Sequence, residues 1–130
     1  MPRSVPDPRP DPAADRVLVV ATPARAVDLM RLAVLRSDDV RFVAETVSPE
    51  AQRLALRFAI EVEPRSFVPD DLAGTAAVLV ALDDREAENR IVRAARRRGV
   101  PVHVSDRPLV SDFSVLAMLE QPGLLRPKAA

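Results

Sequence analysis

The chain has 130 residues, enough for one domain with a single buried core, and its 19 basic and 19 acidic side chains cancel. That balance leaves no electrostatic footprint for nucleic acid or an anionic membrane surface, and the lack of cysteine excludes disulfides, thiolate catalysis and cysteine-ligated zinc. Hydrophobic residues make up 48% and aromatics 3%, so the core must be aliphatic. No apolar run approaches the roughly 18–20 residues of a membrane span. No basic region followed by an apolar signal core opens the chain, and the expected location is cytoplasmic.

Proline stands at nearly every second position from Pro2 to Pro12. It denies this segment both helix and sheet ladders, which predicts an extended, disordered tail over 1–15. Arg16-Val17-Leu18-Val19-Val20 is a continuous run of the kind found in strands buried on both faces. Thr22 is placed to cap a following helix with Pro23 at its first position, where a missing N–H costs nothing. That helix is expected to reach about Arg36, with Ala26, Leu29, Met30, Ala33 and Val34 as its inward stripe.

Val40-Arg41-Phe42-Val43-Ala44 reads as a second strand, and Ser48-Pro49-Glu50 starts a second helix by the same device, extending to about Ala59. Ile60-Glu61-Val62-Glu63 alternates as an edge strand does. Pro69-Asp70-Asp71-Leu72 predicts a single helical turn ended by Gly74. The most apolar run, Ala76 to Leu82, is expected to be a central strand. A helix from Asp84 to Arg98 follows, with Arg96, Arg97 and Arg98 as a solvated end and Gly99 as its left-handed stop. Val100 to Val104 is the last strand, its Pro101 tolerable near the start. Strands alternating with helices predict an α/β fold, a single Rossmann-like, doubly wound parallel sheet with helices on both faces. The globular part is expected over 16–118, with a loose tail over 119–130.

Open parallel sheets place their chemistry beyond the carboxyl ends of the strands. In dinucleotide-binding units the first such turn is glycine-rich, so that backbone N–H groups and the helix dipole can meet a pyrophosphate. Here it reads Ala21-Thr22-Pro23-Ala24-Arg25, without glycine. The turn keeps the helix dipole, the Thr22 hydroxyl and Arg25 as a candidate phosphate clamp. Glu45, 24 positions after Ala21, stands where a ribose-binding acid is expected. Of Asp83 and Asp84, the second is the better helix cap. Asp106 follows the last strand directly, on a turn with Arg107-Pro108, and reads equally as a turn former or a catalytic carboxylate. His103, the only histidine, sits within that strand, where a structural role is the commoner one. No cluster suggests a metal site.

Several local patterns, taken in order, resemble the NAD-dependent N-terminal domain of siroheme synthases, the precorrin-2 dehydrogenase/sirohydrochlorin ferrochelatase family. Val43-Ala44 with Ser48-Pro49-Glu50 resembles the family's second strand and Ser-Pro helix start. Phe67, Pro69, Asp71 and Leu72 are similar to its Phe-x-Pro-x-Asp-Leu turn. Ala81-x-Asp83-Asp84 with Asn89, Val102-His103-Val104-Ser105-Asp106-x-Pro108, and Asp112-Phe113 follow in register. The resemblance spans roughly Arg16 to Met118. It implies NAD as cofactor, a tetrapyrrole as substrate, oxidation of precorrin-2 to sirohydrochlorin, and in bifunctional members insertion of iron. It places Asp106 at the family's catalytic aspartate; as a dehydrogenase the chain would use His103 at the macrocycle or iron, and Ala21, Thr22, Pro23, Ala24, Arg25, Glu45 and Asp83 are the expected cofactor residues.

The sequence departs from the family at the Gly-Gly-Gly turn, at His103 in place of asparagine, and at Leu82 in place of threonine. The family's Pro-Ala motif survives only as Leu116-Ala117. Two readings therefore stand open: a minimal dehydrogenase, or a non-catalytic Rossmann-like module that binds a tetrapyrrole, a metal or a partner protein. The sequence does not separate a homodimer from a hetero-complex, although an apolar sheet edge must be covered by something.

Overall fold

The computed structural model describes residues 15–114 and Ala117. Both expected tails, over 1–15 and 119–130, lie outside the described residues apart from Asp15. The strands are β1 (Arg16–Ala21), β2 (Val40–Val43), β3 (Glu61–Glu63), β4 (Thr75–Ala81) and β5 (Val102–Val104), and the helices α1 (Pro23–Val34), α2 (Pro49–Phe58) and α3 (Arg85–Arg97). All strand pairs are parallel, in the spatial order β3-β2-β1-β4-β5. The middle position therefore falls to β1. The most apolar strand, β4, is interior as expected, paired with β1 on one side and β5 on the other.

Alternation along each strand divides the core in two. Val17, Val19, Ala21, Phe42, Ala77 and Leu79 pack with α1 and α2 on one face. Leu18, Val20, Val43, Val78, Val80, Val102 and Val104 pack with α3 on the other. This follows from handedness: the chain moves one way from β1 to β3 and the other way from β4 to β5, so right-handed crossovers put their helices on opposite faces. The direction reverses between β1 and β4, and the crevice opens there.

Local signals act largely as expected. Ser48 Oγ accepts the Ala51 N–H, and Asp84 Oδ1 accepts those of Glu86 and Ala87. The single turn Pro69–Leu72 is a 3-10 turn, and Gly74 and Gly99 have φ of 70° and 68°. Two details differ. The first helix stops at Val34, because Leu35 and Arg36 bond back three residues to Leu32 and Ala33. The last strand begins only at Val102, since Pro101 has no N–H to give and contributes only its carbonyl, to Val78 N–H. The basic end of α3 is solvated as expected, with Arg96 and Arg97 exposed, and it also makes surface contacts, Arg96 with the Val110 carbonyl and Arg98 with Asp70.

Candidate functional site

Four turns meet at the carboxyl end of the sheet. The first, between β1 and α1, holds Ala21 to Arg25. Thr22 N–H bonds the Ala81 carbonyl at 3.0 Å, and Thr22 C=O receives the N–H groups of Arg25 and Ala26. No residue from Ala21 to Arg25 has a positive φ, so the missing glycines cost the backbone nothing. What their β-carbons change is the space above the turn. Thr22 occupies the cap position, but its side chain makes no capping bond, contrary to expectation. Its backbone is extended as at Ser48, so the difference lies in the side chain, whose Oγ1 is buried with no hydrogen-bond partner.

The last turn, after β5, carries Asp106 in the left-handed region at φ 64°. Aspartate is among the few non-glycine residues that enter this region readily. The conformation turns the Asp106 side chain out to 80% exposure, where Oδ2 lies 3.2 Å from the Arg25 guanidinium, itself 45% exposed. Two candidates from opposite ends of the sequence thus meet across the crevice. Arg25, expected at a phosphate, is held by the candidate catalytic carboxylate.

His103 faces the α1 side of the sheet, in register with Leu79 and Val19. Its Nδ1–H donates to the Phe113 carbonyl at 3.1 Å and its ring packs on Phe113, centroids 5.9 Å apart. Burial pushes its pKa below the usual 6.5, with the Phe113 carbonyl and the Asp106 charge opposing, so the imidazole is neutral at pH 7. With Nδ1 engaged, Nε2 is the free acceptor. His103 and Asp106 line one cavity of about 330 Å³ together with Arg107, Ser111, Asp112 and Phe113.

Glu45 and Asp83 are exposed and belong to the middle turns. Glu45 lines a second cavity of about 160 Å³ on the α3 side, with Ala44, Phe67, Leu82, Arg90 and Ile91. Asp83 lies on the adjoining β4–α3 turn but lines neither cavity. Among the described residues no group of three or more histidine or acidic side chains is placed to hold a metal ion.

Glu88, assigned no role from the sequence, completes the site together with Arg107. Glu88, only 5% exposed, accepts the Leu82 N–H at 3.0 Å and the Arg107 guanidinium at 3.1 Å. Arg107 extends its other arm to Asn89 Oδ1 at 3.0 Å. The signal was available: Glu88, Ile91, Val92 and Ala95 form the inward stripe of α3, and a carboxylate on such a stripe requires a partner.

Comparison with known proteins agrees with this geometry. The family model NAD_binding_7, named for NAD(P) binding, matches residues 11–117. The chain is 29% identical over 109 residues to siroheme synthase of Nitrosomonas europaea, taking in 83% of this chain and 23% of that protein. It is 32% identical over 97 residues to siroheme synthase of Thioalkalivibrio sulfidiphilus, 75% of this chain and 19% of that one. The chain therefore spans about a quarter or less of these relatives. The solved structure of SirC, precorrin-2 dehydrogenase, superposes with a TM-score of 0.54 over 88% of this chain and 51% of that one, at 19% identity, a likeness of fold. With all of the described residues inside the family match, this chain belongs to the NAD_binding_7 family, as a domain of the N-terminal siroheme synthase type.

Proposed function

We propose that this domain is an NAD-dependent dehydrogenase module that oxidises precorrin-2 to sirohydrochlorin, with Asp106 as the proton acceptor. The observation that carries this reading is the position of Asp106: exposed, beyond the carboxyl end of β5, bordering the β1–β4 crevice and in contact with Arg25 of α1.

The residues present fit the cofactor, with its phosphate end rebuilt. Thr22 Oγ1 is a buried hydroxyl without a partner, and Arg25 is a cation beside the α1 N-terminus. Together they stand in for the glycine amides at a pyrophosphate. Glu45, at the rim of the smaller cavity, serves the ribose hydroxyls. Bound NAD supplies the hydride acceptor. As a hydride and a proton leave the macrocycle, the Asp106 carboxylate takes the proton. Neutral His103, which lines the same cavity and has its Nδ1 engaged by Phe113, orients the macrocycle by accepting a hydrogen bond at Nε2. Arg25 must exchange Asp106 for the phosphate, and an exposed, singly bonded pair of this kind is worth only about 0.2–1 kcal/mol. Freeing the carboxylate is therefore inexpensive.

A second reading, a non-catalytic tetrapyrrole- or partner-binding module, is favoured by Pro23, which lacks a donor where a phosphate needs one. Titration of NAD against the purified chain separates the two. Saturable binding, with Asp106→Asn abolishing precorrin-2 oxidation while the affinity for NAD is retained, is the expected result. Asparagine also enters the left-handed region, so the turn survives this change. Absence of binding at millimolar cofactor would leave the non-catalytic reading, and full activity in Asp106→Asn would remove the assigned role.

A further inference from the structure

Glu88 is a buried carboxylate in the first turns of α3, yet that helix is already capped by Asp84, so capping does not account for it. Stability does not account for it either. Desolvating a carboxylate and a guanidinium takes back most of what their attraction supplies, so the ion pair itself adds little. What the Glu88–Arg107 pair does supply is geometry. One carboxylate oxygen holds the Leu82 N–H at the end of β4 and the other holds Arg107, the neighbour of Asp106. Arg107 is a planar fork, and its two arms rest on Glu88 and Asn89, successive residues of one helix, which fixes its orientation as well as its position. Its backbone N–H closes the turn onto the Val104 carbonyl at 3.1 Å, across the left-handed Asp106.

We propose that Glu88 is a positioning residue which, through Arg107, clamps the β5 turn to the β4–α3 turn and so sets where the Asp106 carboxylate stands over the crevice. The clasp rests on the reading of Asp106 as proton acceptor. It holds Asp106 from the α3 side, while Arg25 touches the same carboxylate from the α1 side. A ligand that draws Arg25 away therefore leaves the Asp106 turn anchored. Glu88 itself is shielded from the crevice and touches no reacting atom.

The test is steady-state oxidation of precorrin-2 by the chain with NAD, for wild type, Glu88→Gln, Arg107→Ala and the double variant. Glutamine keeps an acceptor for Leu82 N–H but loses the charge that holds Arg107. The expected result is a fall in kcat of about 10- to 100-fold, the scale of a displacement near 1 Å, with the KM for NAD unchanged. The double variant should be no worse than the worse single one, because both remove the same clasp. Asn89→Ala removes only the outer arm and leaves the buried carboxylate paired. It should lower kcat by a smaller factor, and it serves as the test where the buried variants fail to fold. Wild-type kcat in folded variants, a change confined to KM, or additive losses would overturn the clasp alone. An inactive wild-type chain would overturn the dehydrogenase reading, and the clasp with it.

Discussion

His103 shows how one side chain can be both structural and available. Its Nδ1–H is committed to Phe113, its ring to the core, and its Nε2 to neither. Because burial lowers its pKa in the folded chain, the unfolded chain binds the proton more readily. The stabilisation from a neutral His103 is therefore complete above the unfolded value of 6.5 and is lost as pH falls below it towards the folded value. Denaturant unfolding between pH 7.5 and 5 should show falling stability for the wild type and a flatter profile for His103→Asn; equal slopes would place the titrating group elsewhere. The sequence identified His103 and Asp106 as neighbours at a strand end. It could not show the conformations that separate their roles, a ring packed on Phe113 and a carboxylate turned out by a positive φ.

At the scale of elements, one face of the sheet is short of a helix. β2 is covered on the α1–α2 side, while on the other side, among the described residues, Val43 packs with α3 and Arg41 meets Asp71 of the 3-10 turn. Charge fills the gap. Asp71, 2% exposed, receives both arms of Arg65, at 2.6 and 3.0 Å, and the Val68 N–H, with Arg41 of β2 at 3.8 Å. Burial pushes the Asp71 carboxyl up, but the bonds from Arg65 and Val68 outweigh it and hold the group below its usual 3.8. Its contribution is thus present at neutral pH and lost only as pH falls below that value. Asp71→Ala should cost about 2–3 kcal/mol in denaturant unfolding, the scale of hydrogen bonds to a charged group. A loss within error would show the network to be mere surface pairing. The helices and strands here were legible because Ser48, Asp84, Gly74 and Gly99 act within a few residues of themselves. The network was less so, although an arginine inside the apolar run of β2 marked the place where a buried acid had to arrive.

For the molecule as a whole, the open question was how the sheet ends. Val102 and Val104 turn their outward N–H and C=O groups away from β4, an edge open to pairing with another chain. The chain answers with its own next segment. Asp112 Oδ2 accepts the Val102 N–H and Asp112 N–H donates to the Val102 carbonyl, while Ser111 Oγ accepts the Val104 N–H and its one proton lies between the Arg107 carbonyl at 2.9 Å and the Val104 carbonyl at 3.1 Å. Ser111→Ala with Asp112→Ala strips the side-chain partners from this edge. Sedimentation should then show more self-association than in the unmodified chain as concentration rises. Unchanged sedimentation would mean that the edge is protected by something other than these two residues.

The sequence by itself determined the order of strands and helices, the parallel α/β class, most helix boundaries and the place of Asp106 at a strand end. Each of these is written in periodicity, caps and turn residues that act over a few positions. Only the tertiary structure decided that Arg25 would meet Asp106 across 81 residues, that Glu88 and Asn89 would hold Arg107, and that Ser111 and Asp112 would close the sheet. Those contacts join polar side chains whose spacing in the chain follows no period. They exist because parallel crossovers bring the carboxyl ends of all five strands to one edge of the sheet, where distant turns become neighbours.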